Sequence, residues 1–175
     1  MTDHRYPVGP FSWDESADQR TRATLIAQIA EAPARMRDAV KGLTDEQLDT
    51  PYRDGGWTVR QVAHHVPDSH LNGYCRHKLA LTEEQTPTIR PYDEAMWAKL
   101  PDTFSTPIDT SLTLLDSLHA RWVGLWQAMK GEDFSRAFNH PDHGVRSLDW
   151  LLAMYAWHGR HHVAHVTSLR ERMGW

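Results

Sequence analysis

The sequence predicts an all-α four-helix bundle. Three observations predict it: four long segments carry apolar residues at helical spacing, no segment shows a convincing strand pattern, and turn-forming residues separate the four. A long connection divides the second helix from the third. The chain has 175 residues, 40% hydrophobic and 24% charged, enough to bury a core, so 1–175 is expected to form a single domain.

Residues 1–13, with Pro7, Gly9 and Pro10, are expected to form an irregular arm. A first helix should run from Asp14 or Glu15 to about Gly42. Leu25, Ile26, Ile29, Met36 and Val40 recur at helical spacing, Arg35, Arg37 and Lys41 favour the negative end of its dipole, and Pro33 should bend it. Thr44 and Gln47 read as a capping box for one short turn of helix, and "PYRDGG" reads as a loop. Thr58 and Gln61 repeat that signature at the start of a second helix, which should run to about Leu81 with a kink at Pro67. Thr82 to Pro107 holds four prolines, so it should be a connection with at most one short helix, near Tyr92 to Leu100. A third helix, Asp109 to Met129, places Leu112, Leu115, Leu118, Trp122, Leu125 and Trp126 in one stripe. After a loop, Ser147 should cap a fourth helix reaching about Arg172.

Composition removes several function classes. A net charge of -4 without any Lys/Arg cluster argues against nucleic acid as a partner. No apolar run is long enough for a membrane span, and "MTDHRYPVGPFSWDESADQR" lacks the apolar core of a signal peptide, so a cytoplasmic location is expected. The single cysteine, Cys75, excludes an intrachain disulfide and a cysteine-based zinc site, and reads as a small buried residue. Metal chemistry would have to use imidazole and carboxylate, which turns attention to the 12 histidines.

Four of them crowd into "WHGRHHVAH", Trp157 to His165. On a helical wheel Leu148, Leu151, Leu152, Tyr155, Val166, Leu169 and Met173 define an apolar stripe. His162 falls within it, His158 at its edge and His165 at its margin, while His161 points away. His158 and His162 are four residues apart, so their rings can grip one ion. In the second helix His65 shares a face with Val62, Val66 and Ser69, and is the better inward candidate. His64 falls on the side of Gln61 and Asp68, and should face solvent or donate to a ligand. Three neutral imidazoles suit Zn²⁺ first and Ni²⁺ second, one ion per chain, and leave coordination positions free for a reactant.

Two segments carry a family resemblance: "GGWTVRQVAHHVPDSHLNGYCRHKLALTEEQTPTIRPYDEAMWAKLPD" and "WLLAMYAWHGRHHVAHVTSLRERMGW". From about Tyr6 to Trp175 the chain resembles the YfiT-like branch of the DinB superfamily, whose members are described as metal-dependent hydrolases and as bacillithiol S-transferases. The resemblance implies a metal histidine eight residues after the tryptophan that opens the second helix, which from Trp57 lands on His65. It implies an H-x-x-x-H pair in the last helix, which His158 and His162 match, with His165 standing where many relatives carry glutamine. It also implies a homodimer. Pro67 departs from the pattern; by removing the amide that would bond to Ala63 it should turn the His65 ring.

Two reactions fit such a site. A small thiol of the bacillithiol type could bind as thiolate and attack an electrophilic substrate; alternatively, the cation lowers the pKa of water and hydroxide attacks an ester or amide. Hydrolysis commonly uses a neighbouring carboxylate base, and "HGRHH" has no glutamate where a zincin-type "HExxH" would, which tilts expectation toward thiol transfer. Asp68, Asp93 and Glu94 read as solvated or structural carboxylates. Arg90 could pair with carboxylates of a thiol cofactor, Tyr92 could meet the substrate or anchor the connection, and His64, His161 and His165 are candidates for supporting the ligands. Trp57, Trp97, Trp150 and Trp157 read as core rather than pocket wall. A non-catalytic metal- or ligand-binding bundle is the alternative, and would require His161 or His165 as a fourth ligand.

Overall fold

The computed structural model describes residues 3–13 and 17–175. Its elements follow in the order α1 (Gln19–Val40), α2 (Asp45–Leu48), α3 (Val59–Thr82), α4 (Glu94–Trp97), α5 (Pro101–Ser105), α6 (Ile108–Ala128), a 3₁₀ turn (Gly131–Ser135), β1 (Ala137–His140), β2 (Gly144–Ser147) and α7 (Leu148–Met173). The long helices α1, α3, α6 and α7 form the four-helix bundle, with α1 against α6 and α7, and α3 closing the other side against the same two. No described helix is long and apolar enough to cross a membrane.

Local chemistry sets the helix starts. Both expected capping boxes form: Thr44 with Gln47 opens α2 and Thr58 with Gln61 opens α3. Ser147 accepts a bond from the Trp150 amide at the start of α7. The expected start of the first helix at Asp14 or Glu15 lies outside the described residues; α1 is capped by Asp18, whose carboxylate accepts from the Thr21 amide at 2.7 Å. Pro33 and Pro67 both sit inside uninterrupted helices, because packing holds the turns that lose one amide bond.

Three expectations need correction. The segment before α7 is not strandless: β1 and β2 pair antiparallel, Ala137 opposite Ser147. Four residues per strand are too few for alternation to be read, and the hairpin gains its support from afar, through the Ile89 amide to the Asn139 carbonyl at 3.0 Å and the Asn139 amide to the Pro87 carbonyl at 2.8 Å. The connection holds two short helices, α4 and α5, rather than one, because Leu100-Pro101 breaks the pattern and Pro101 restarts it at a first helical position. Cys75 is exposed, not buried, on the outer face of α3.

Histidine divides the core. One apolar cluster gathers Trp122, Trp126, Phe138, Leu151, Leu152 and Tyr155; the other gathers Met36, Val62, Val66, Leu115, Val166 and Leu169. A connected set of histidine rings joins them: His70, His119 and His158 touch Trp122 or Tyr155 of the first, His65 and His162 touch Trp57 at the edge of the second, and His65 meets His158. The helices meet closely beside this belt. A Cβ on Gly73 would overlap the Tyr155 ring and stand 2.8 Å from the Trp122 ring. Gly73→Ala should therefore lower unfolding free energy by about 1–3 kcal/mol, outweighing the ~1 kcal/mol that alanine gains in helix propensity. Urea unfolding checks this, and a variant as stable as wild type would contradict the close contact.

Candidate metal centre

α3 and α7 bring three imidazoles to one point. One ring nitrogen from each of His65, His158 and His162 lies within 4.8 Å of the other two. The ring centroids are 4.5 Å apart for His158 and His162 and 4.9 Å apart for His65 and His162. Nε2 of His65 stands 3.3 Å from Nε2 of His158. Two nitrogens each about 2.0–2.1 Å from a tetrahedral ion stand roughly 3.3 Å apart, so this spacing fits one shared cation. Pro67 thus leaves the His65 ring directed at the pair.

Burial keeps these rings neutral, the form that offers a lone pair. It pushes His65 down to about 4 from its ordinary range, and pushes His158 and His162 well below it, with neighbouring imidazoles adding to the effect. Trp57 packs edge-on against His65 at 4.7 Å between ring centroids.

Two clefts meet at the site. The first, about 460 Å³, lies between α3, the connection, the hairpin and α7, with Arg76, Tyr92, Trp150 and Met154 on its walls. The second, about 340 Å³, is bordered by Tyr52, Trp57, Trp157 and His161. His158 and Glu94 border both. Of the four tryptophans expected in the core, Trp57 and Trp150 pack against the two clusters and also form cleft walls, Trp157 walls the second cleft, and Trp97 is 41% exposed and packs on Tyr92. An apolar stripe cannot distinguish a wall that faces protein from one that faces a cavity.

The other candidates are distributed unevenly. His165 supports His162: its Nδ1 lies 3.3 Å from Nδ1 of that ring. His161 does not point to solvent. It is buried, stacked on Trp157 at 4.3 Å and covered by Tyr6 of the N-terminal arm, with Nδ1 lacking a hydrogen-bond partner among the described residues. His64 is also buried rather than solvated, and bonds Ser111 of α6 at 2.8 Å, away from the three clustered rings. Arg90 is exposed and borders neither cleft. Arg76 occupies the place expected of Arg90, half-buried in the larger cleft with no hydrogen bond or ion pair among the described residues. The Tyr92 hydroxyl is buried without a partner there, and burial raises its pKa, so it stays protonated. Asp93 is structural, accepting from the Met96 amide at 2.9 Å to cap α4. Glu94 caps nothing: it is an exposed residue at the border of both clefts, where partial loss of hydration raises its pKa, with Arg76 opposing and Asp93 adding.

His70 and His119 went unremarked in the sequence, yet both are fully or almost fully buried beside the site. His70 lies four residues after Val66 and His119 four after Leu115, so the apolar periodicity of α3 and α6 marks both as inward.

Comparison with known proteins agrees with this architecture. Residues 28–166 match the DinB superfamily. A protein of Bacillus cereus and one of Bacillus anthracis, each named "putative metal-dependent hydrolase", are 53% identical over 100% of this chain and 100% of their own. A solved structure of YfiT from Bacillus subtilis, described as "a probable metal-dependent hydrolase with an unusual four-helix bundle topology", is 48% identical. It covers 98% of both chains with a TM-score of 0.95.

Proposed function

The chain belongs to the DinB superfamily, and on that premise we propose that it is a metal-dependent hydrolase. In this reading His65, His158 and His162 hold one divalent cation, zinc first and nickel second by donor type, and Glu94 is the general base. The observation that carries it is the position of Glu94, at the border of both clefts beside His158. The "HGRHH" segment has no base of its own, and the long connection supplies one from outside it.

A divalent cation in this donor set lowers the pKa of water and polarises a carbonyl oxygen. The remaining work falls to the chain. Glu94 takes a proton from the attacking water at a carboxylate oxygen and returns it to the leaving group. The Tyr92 hydroxyl, held protonated, donates a hydrogen bond to the substrate. Trp150 and Met154 wall the apolar body of a small substrate, and Arg76 meets an anionic group on it.

Glu94→Gln keeps the shape of the side chain and removes its basicity. With the metal bound, kcat for a hydrolysable ester should fall about 100-fold, with metal content and KM little changed. An unchanged kcat would remove Glu94 from the reaction.

Thiol transfer is the second reading, and the paired clefts favour it. A small thiol of the bacillithiol type could occupy one and an electrophile the other, with His158 between them. Sulfur would form the bond to carbon as the leaving group departs, and Glu94 would accept the thiol proton. Product that forms only when a thiol is added selects this reading; product formed from water alone selects hydrolysis.

A further inference from the structure

Two chains of hydrogen bonds run from the clustered rings into the protein, and each ends on a main-chain carbonyl. In the first, Nδ1 of His158 lies 3.0 Å from Nε2 of His70, Nδ1 of His70 lies 2.7 Å from Nε2 of His119, and Nδ1 of His119 lies 2.7 Å from the Ile29 carbonyl oxygen of α1. In the second, Nδ1 of His162 lies 3.3 Å from Nδ1 of His165, whose Nε2 lies 3.2 Å from the Arg5 carbonyl oxygen of the N-terminal arm.

We propose that these two imidazole relays fix His158 and His162 as Nδ1–H tautomers, so that both present an Nε2 lone pair to the cation. His70, His119 and His165 are positioning residues in this scheme, which rests on the metal-site reading above.

The assignment follows from donor and acceptor counting. A carbonyl only accepts, so the ring nitrogen facing it carries the proton. A neutral imidazole has one N–H, which makes Nε2 of His119 an acceptor and obliges Nδ1 of His70 to donate to it. Nε2 of His70 is then an acceptor, Nδ1 of His158 donates, and Nε2 of His158 is left as a lone pair. The same count makes His165 donate through Nε2 to Arg5 and accept at Nδ1 from His162. Reversing the first relay would leave the buried Ile29 carbonyl facing a lone pair, and reversing the second would set the Arg5 carbonyl against one. Water has little access to the ring side of these contacts, since His70 is 0%, His119 2% and His165 3% exposed. Metal-bound histidines usually donate their second N–H to a carboxylate or a carbonyl. Here the carbonyls act at a distance, through one ring or two. The relays are neutral and add no negative charge beside the cation. They also couple the site to α1, α6 and the arm, none of which supplies a ligand.

The test begins with metal-free wild-type protein, its histidines labelled with ¹⁵N, and long-range proton–nitrogen spectra at pH 8. His70, His119, His158 and His162 should show Nδ1–H and His165 should show Nε2–H. Finding Nε2–H at His158 or His162 overturns the proposal. Two variants probe the consequence. Gln in His119→Gln can still donate to the Ile29 carbonyl and accept from His70, whereas His119→Leu can do neither. Zinc affinity, measured against a chelating dye, should weaken about 10–100-fold in His119→Leu and stay within about threefold of wild type in His119→Gln. Equal losses in both, or none in either, would show that relay polarity does not position the ligand. The two readings fail separately. A wild type with the stated tautomers and no zinc uptake sinks the metal site, while one that takes up zinc with Nε2–H at His162 sinks the relays.

Discussion

His162→Ala should leave a protein that purifies without its ion. Wild type is expected to carry about one divalent ion per chain by elemental analysis. Structural zinc held by four ligands is worth about 10–16 kcal/mol, or roughly 2.5–4 kcal/mol per ligand, which converts to a loss of two to three orders of magnitude in affinity for each one removed. His162 suits the test better than His158. His158 also terminates the longer relay, so its removal would leave Nε2 of the fully buried His70 unpaired at the end of a two-ring relay, whereas removal of His162 frees only the Nδ1 of His165 at the end of a one-ring relay. Alanine at 162 also opens space in a belt flanked on one side by Val166 and Leu169. The metal-free variant should therefore be compared with metal-free wild type by thermal unfolding. Loss of metal in a variant that still unfolds cooperatively assigns the ligand. Equal metal content in the two proteins would remove His65, His158 and His162 from the site together, since none of the three has another reason to share it.

The three clustered histidines were legible because their geometry is local. His158 and His162 are one helical turn apart, and His65 is placed by the periodicity of Val62 and Val66, so a wheel drawn on each helix finds both halves of the site. The helices themselves follow from capping boxes and apolar stripes for the same reason. What was not legible depends on chain that returns from a distance. On the wheel of α7 His165 looks marginal and His161 points away, because the wheel omits the N-terminal arm. That arm covers them: Tyr6 lies over His161, the Arg5 carbonyl meets His165, and the Gly9 carbonyl accepts from the Trp157 indole at 3.0 Å. Pro7 and Pro10 correctly mark the arm as irregular, and irregular backbone can still be a well-packed cover. Glu94 is exposed, as an acidic residue in a proline-rich connection should be, but its place at the border of both clefts was not legible, because the pairing of Ile89 and Pro87 with Asn139 that lays the connection there joins segments far apart in the chain. His70 and His119 form a different case. Their inward position could be read from periodicity, but their partnership could not, because it spans α3 and α6.

The histidine belt should also make the metal-free protein collapse in mild acid. Burial pushes His65, His161 and His165 down to about 4 and His77 down to about 3, and lowers His64, His70, His119, His158 and His162 as well. In the unfolded chain each returns to about 6.5. As pH falls below that value the unfolded chain takes up protons that the folded one refuses, so the stability present above pH 6.5 is lost progressively toward pH 4. Four such rings at about pH 4.5, each some 2 pH units below the unfolded pKa and each unit worth about 1.4 kcal/mol, amount to on the order of 10 kcal/mol, comparable with the whole ~5–15 kcal/mol stability of a domain. Asp68 works in the opposite sense. Burial raises its carboxyl to about 6, and it favours the folded state as pH falls through that value, but one carboxyl opposes many imidazoles. Urea unfolding of the metal-free protein should give a midpoint that is level from about pH 8 to 7 and falls steeply between about pH 6.5 and 5. Saturating zinc should move the collapse to lower pH, since the ion binds only the folded rings, and protons competing for the same nitrogens should limit how far. A midpoint unchanged from about pH 7 to pH 5 would mean that these rings accept protons in place, and neutral imidazole could then no longer be the ground on which the three ligands are assigned.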